Sequence, residues 1–183
     1  WLLRAMRDAA LRGVRVRLLI DDFYTTGQDE FFLAFAAFPN VEVRLFNPLP
    51  ARGASMARRV LWSLHDFDRI NRRMHNKLFI ADGVMAVVGG RNIADEYFMA
   101  SAGANFVDLD TFVIGAILPR LSSLFDEYWN SPRLYPLRSI VKTDQSDEAL
   151  QREFEQMTSA EATVPVVQVI VSNAEAGVTQ TIE

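Results

Sequence analysis

The chain has 183 residues, half of them hydrophobic and 23% charged, with 19 Lys and Arg against 23 Asp and Glu for a net charge of −4. That is enough apolar material for the core of one domain, with room for the start of another. The acidic balance argues against a dedicated nucleic-acid binder, the lack of cysteine excludes disulfides and thiolate metal sites, and no apolar run reaches membrane-spanning length.

Residues 1–12 carry Leu2, Leu3, Met6, Ala9 and Ala10 at helical spacing, and Gly13 ends the segment. Val14, Val16, Leu18 and Ile20 then alternate with Arg15 and Arg17, which predicts a strand. Asp21 and Asp22 stand at its C-terminal edge, where α/β sheets carry ligand loops. The plainer reading is a carboxylate pair that caps backbone. Residues 28–38 are apolar all round and predict a buried helix. After a Pro39-Asn40 turn, Val41, Val43 and Leu45 predict a second strand. Helix, strand, helix, strand with short connections predicts a parallel α/β unit.

Residues 52–73 are basic, with Arg52, Arg58, Arg59, Arg69, Arg72 and Arg73, and interleave Leu61, Trp62, Leu64 and Phe67. Two readings stand here. One is a contact surface for anionic lipid head groups or a phosphate backbone, with Arg58 and Arg59 binding substrate. The other is a solvated helix face. His65 has no neighbours at metal-ligand spacing.

Residues 74–81 alternate again, placing His75, Lys77 and Phe79 on one strand face. Asp82-Gly83 is a hairpin turn signal, and residues 84–88 return as a short apolar strand expected to be buried. Gly89-Gly90 predicts a tight turn with close backbone approach, and Asn92 opens a short helix over residues 93–100. Residues 106–114 predict a strand with Asp108 and Asp110 on one face, ended by Gly115. Ile117, Leu118, Leu121, Leu124, Phe125, Tyr128 and Trp129 form the strongest helical stripe, stopped by Asn130, Ser131 and Pro132. Beyond it come a polar, helix-prone stretch over residues 142–157 and a β-branched run over residues 164–171, with no motif.

One hairpin thus holds an imidazole and an ammonium on one face, with an amide and backbone N–H groups at its end. Those are the parts needed to attack and clamp a phosphodiester. His75, Lys77 and Asp82 form H-x-K-x-x-x-x-D, followed by Gly89, Gly90 and Asn92. This resembles the HKD signature of the phospholipase D superfamily, in the form of bacterial cardiolipin synthase-type members. The likeness extends to RGVRVRLLIDD before the motif and to NFVDLDTFVIG and FDEYWNS after it, over residues 1–131.

The resemblance implies an α/β fold, a phospholipase D-like mixed β-sheet flanked by helices. Residues 1–131 would be a first HKD domain, and residues 132–183 a linker or the start of a second half. It implies phosphatidyl transfer between phospholipids through a phosphohistidine on His75, with hydrolysis if water is the acceptor. Lys77 and Asn92 would hold the non-bridging oxygens, and Gly89 and Gly90 would let backbone approach the same phosphate. Asp82, past the strand, would have a structural or orienting role. In related enzymes a carboxylate seven residues before a strand-ending glycine holds the motif histidine. That spacing from Gly115 selects Asp108, with Asp110 as the backup; the alternative for Asp108 is a structural partner for Arg91.

Neither metal nor cofactor is needed for such chemistry. Related sites use two motifs and this chain has one, so a second is expected from a downstream half of a longer chain or from a homodimer mate. The expected setting is peripheral, on the bacterial cytoplasmic membrane, against an anionic lipid surface. The alternatives are a nuclease using the same residues and a non-catalytic module that binds membrane or a partner.

Overall fold

The structure is a computed structural model and describes residues 2–22, 25, 27–48, 73–92, 97, 103 and 105–159. The basic run 52–72 with Arg58, Arg59 and His65, most of the helix expected over 93–100, and the run 164–171 lie outside the described residues. In chain order the elements are α1 (Leu2–Leu11), β1 (Val16–Asp21), α2 (Asp29–Phe35), β2 (Val41–Phe46), β3 (Lys77–Ala81), β4 (Met85–Gly89) and β5 (Asp110–Ile114). They continue with α3 (Leu118–Trp129), β6 (Leu134–Pro136), α4 (Leu137–Ile140) and α5 (Asp147–Ser159). The architecture is α/β, as expected. Its strands divide between two three-stranded sheets, ordered β1-β2-β6 and β3-β4-β5. The β2–β6 pair and the whole second sheet are antiparallel.

The described residues form two compact units, one drawn from residues 2–18, 28–43 and 141–159, the other from the described parts of 19–27 and 44–140. The first is built on aromatic packing. Phe154 of α5 is fully buried and stacks on Phe31 and Phe35, with ring centroids 5.8 and 5.5 Å away, and meets Phe38 edge-on at 5.3 Å. The Arg7 guanidinium lies 5.7 Å from the Phe38 ring and pairs with Glu155, so a cation closes the aromatic cluster. Residues past Ser131, expected as a linker or a second half, thus supply α5 to this core, while β6 pairs with β2 in the other unit.

The second unit has its core at Phe46, Trp129 and Leu134, with Leu19, Met74, Phe125 and Tyr128 packed against it. α3 forms where its stripe predicts, with Pro119 in its first turn and Asn130 at its C-cap. Arg44 holds the helix end, its guanidinium 4.4 Å from the Trp129 ring centre and donating to the Trp129 carbonyl at 2.9 Å.

Two strands are shorter than expected, for one reason: side chains capture the backbone groups that would extend the ladders. β3 starts at Lys77 rather than residue 74, because the Met74 N–H is given to Asp21 at 2.9 Å. β5 starts at Asp110 rather than residue 106, because the Leu109 N–H goes to the Asp108 carboxylate and the Asp108 carbonyl accepts from Arg91. β4 was expected to be buried, yet only Ala86 is; Val84 is 63% and Met85 40% exposed.

Candidate active site

Asp21 ends β1 and reaches the chain just before the motif. Its carboxylate takes Arg73 in a two-point ion pair, Nε to Oδ2 at 3.2 Å and Nη2 to Oδ1 at 3.1 Å, and also takes the Met74 N–H. Arg73 donates in addition to the Asn47 carbonyl at 3.0 Å. The Met74 side chain packs against the Phe46, Trp129 and Leu134 core. Two residues ahead of β3 are therefore anchored, one by charge and one by packing. His75 follows them with its side chain exposed. The sequence offers Asp21 as part of a ligand-loop or backbone-capping carboxylate pair; neither reading gives it Arg73 as a partner. The available signal was an arginine two residues before the motif histidine and a carboxylate at a strand's C-terminal edge.

Lys77 opens β3 and its Nζ donates to the His75 carbonyl at 2.8 Å. Burial lowers its pKa below the ordinary lysine value, and the nearby Asp108 carboxylate partly offsets this. In the register Lys77 pairs with Gly89, and Gly89 pairs with Asp110, so these three share one face across the sheet. Gly89 is needed there. A Cβ on it would run into the Asp110 carboxylate and lie 2.8 Å from the Leu109 carbonyl oxygen. At Gly90 a Cβ would meet the Asp108 carboxylate oxygens at 2.6 and 2.7 Å. The glycine pair, expected to admit a phosphate, here admits two carboxylates.

Arg91 ties the two carboxylate-bearing residues down. It pairs with Asp110 at 2.6 Å, and its Nη2 donates to the Asp108 carbonyl at 3.0 Å. Arg91 thus reaches Asp110 by its carboxylate and Asp108 by its carbonyl oxygen. Among the described residues no hydrogen bond joins the Asp108 carboxylate to the His75 imidazole; it accepts from Leu109 N at 2.8 Å and acts on Lys77 through its charge. Asn92, half-buried, directly follows Arg91.

Asp82 lies at the other end of the hairpin. It has φ 52° and Gly83 φ 67°, the pair of positive values that a type I′ turn requires, and Val84 N donates to Ala81 O across it. A five-residue strand at about 3.3 Å per residue separates it from Lys77. Its position gives it turn geometry and keeps it out of reach of the imidazole. Arg58 and Arg59 lie outside the described residues.

A cavity of about 400 Å³ opens beside the motif. His75, Asn76 and Lys77 supply the polar part of its lining, and Leu121, Leu124, Phe125 and Tyr128 of α3 form an apolar wall. Among the described residues no group of three or more His, Asp or Glu is placed to hold a metal ion, and no helix is long and apolar enough to cross a membrane.

Comparison with known proteins places the chain in a family. Residues 1–129 match the family described as cardiolipin synthase, PLD-like domain. Cardiolipin synthase C of Escherichia coli (strain K12) is 43% identical over 148 residues, 81% of this chain and 30% of that protein. An uncharacterized protein of Helicobacter pylori (strain ATCC 700392 / 26695) is 37% identical over 140 residues, covering 76% of this chain and 27% of the other. Cardiolipin synthase 1 of Bacillus cereus is 28% identical over 170 residues, 88% of this chain and 30% of that protein. The chain spans less than a third of the length of these relatives. No solved structure matches it. With a family match running through the hairpin, the glycine pair and α3, the chain belongs to the cardiolipin synthase-type family of the phospholipase D superfamily.

Proposed function

We propose that this chain contributes one half of a phosphatidyltransferase site, with His75 as the nucleophile toward a phospholipid phosphodiester. A ring nitrogen of His75 attacks phosphorus, forming an N–P bond as the bond to the head-group alcohol oxygen breaks. The leaving oxygen takes a proton from an acid outside this motif. An acceptor alcohol, such as the glycerol head of a second phospholipid, then attacks the phosphohistidine. Its oxygen forms a new bond to phosphorus as the N–P bond breaks, its proton goes to the group that protonated the leaving oxygen, now a base, and the imidazole is restored. Lys77 and the Asn92 amide hold the non-bridging oxygens. The Asp21–Arg73 clamp and the buried Met74 keep the imidazole's backbone in place, so little reorganisation accompanies attack.

The observation that carries this reading is an exposed imidazole on an anchored backbone, with an ammonium at its own carbonyl and a cavity alongside. Asp108 serves Lys77 by charge. The setting is a bacterial membrane surface, approached peripherally. The test is to trap the intermediate: full-length protein incubated with phospholipid labelled on phosphorus should carry acid-labile label, and His75→Ala should carry none. Label retained by His75→Ala would refute the assignment. Asn92→Ala should lower kcat by about two to three decades, as expected for one lost donor to developing charge.

A further inference from the structure

The cavity has a wall that phosphodiester chemistry does not need. Leu121, Leu124, Phe125 and Tyr128 stand at i, i+3, i+4 and i+7 on one face of α3. Across from them are Leu78 and Val88, register partners on the sheet face opposite to that of Lys77 and Gly89. Residues of α3 and of the β3–β4 hairpin line the same space, which is thus a slot with two apolar sides. Its imidazole, amide and ammonium come from residues 75–77, where the motif begins, and Tyr128 adds a phenol. A solvent-filled slot of this kind leaves apolar surface wet, which is unfavourable in proportion to its area. A nucleotide would bring polar sugar and base edges into it with few groups to meet them. A hydrocarbon chain matches both sides and leaves its phosphate at residues 75–77.

We infer that the slot between α3 and the β3–β4 hairpin seats an acyl chain of the substrate, so that the lipid is recognised by its tail as well as its phosphate. This rests on the reading of His75 and Lys77 as the phosphate end. The volume of about 400 Å³ is in the range of small-ligand sites and accommodates part of one chain. Leu124 is 40% exposed and lies at the rim, where it can be changed without opening the core at Trp129.

The experiment is calorimetric binding to the full-length protein at one ionic strength. Three probes are used: glycerophosphoglycerol without tails, and dihexanoyl- and dioctanoylphosphatidylglycerol below their micellar concentrations. Each methylene seated should tighten binding about fourfold until the slot is full. Dihexanoylphosphatidylglycerol should therefore bind at least about a hundredfold tighter than the tail-free probe. Leu124→Gln should reduce that ratio about tenfold, and Leu124→Met should keep it. Equal affinity for tailed and tail-free probes, or a ratio unaltered in Leu124→Gln, would overturn the inference. The two readings fail separately. A ratio near one with turnover still lost in His75→Ala removes the tail seat and leaves the catalytic assignment. A high ratio with turnover kept in His75→Ala does the reverse.

Discussion

Lys77 is where charge and burial compete most directly. Desolvation lowers its pKa and Asp108 raises it, with desolvation the larger effect. Between the lowered folded value and the ordinary lysine value of 10.5, the unfolded chain binds more protons than the folded one, so this residue makes stability rise with pH across that window. Phosphate binding has the opposite sign, because the clamp needs the ammonium. Affinity for glycerophosphoglycerol should fall on the alkaline side at a pH below the ordinary lysine range. Asp108→Asn removes the raising influence and should move that fall to still lower pH; an unmoved limb would separate Asp108 from Lys77. At Asp21 the effect is structural. Asp21→Ala takes the carboxylate away from Arg73 and the Met74 N–H together, and should cost about 2–3 kcal/mol, read as a lower urea midpoint at unchanged m.

Among the elements, the β3–β4–β5 sheet depends on two glycines in different ways. A Cβ at Gly89 meets backbone of β5, which cannot step aside without breaking the Gly89–Asp110 register pair. Gly89→Ala should destabilise by about 1–3 kcal/mol, as overpacking does. At Gly90 the obstacle is the Asp108 side chain, which can rotate. Gly90→Ala should therefore cost less stability but move the carboxylate off Lys77, reproducing the pH shift of Asp108→Asn. α5 offers an independent check. Ser146 caps it, accepting from Ala149 N through both its side chain at 3.3 Å and its carbonyl at 3.1 Å. Ser146→Ala should lower stability by about 1 kcal/mol in thermal or urea unfolding.

For the whole molecule, the proposed chemistry asks more than one histidine can supply. The nucleophile must begin neutral and the acid for the leaving group must begin protonated. A free imidazole, titrating at about 6.5, can take either state near neutrality but not both at once. This chain by itself should show little turnover as a monomer, and activity should appear with a second His–Lys pair from a downstream half or a symmetric mate. Transfer assayed across protein concentration discriminates these. A rate rising with the square of concentration points to a mate, and robust turnover by a demonstrably monomeric chain would defeat the half-site proposal.

Much of this protein is decided locally. The α3 stripe, the Asp82-Gly83 turn and the alternation around Lys77 each depend on near neighbours in sequence, so periodicity and turn chemistry were enough to read them. The family could be read too, because H-x-K-x-x-x-x-D with the glycine pair and Asn92 is a spacing rather than a shape. Tertiary structure alone decided the partners. That Asp21 clamps Arg73, that Arg91 takes Asp110 by its carboxylate, and that Asp108 faces Gly90 are facts about residues 18 to 52 positions apart. Those contacts also set where β3 and β5 begin, by withdrawing backbone groups from the ladders. Exposure of Met85, Phe112 and Ile114 was hidden for the same reason, since an apolar pattern says which side chains could be buried and not what comes to cover them. The tail slot needs α3 and the β3–β4 hairpin to face each other, and no local rule in either segment states that they do.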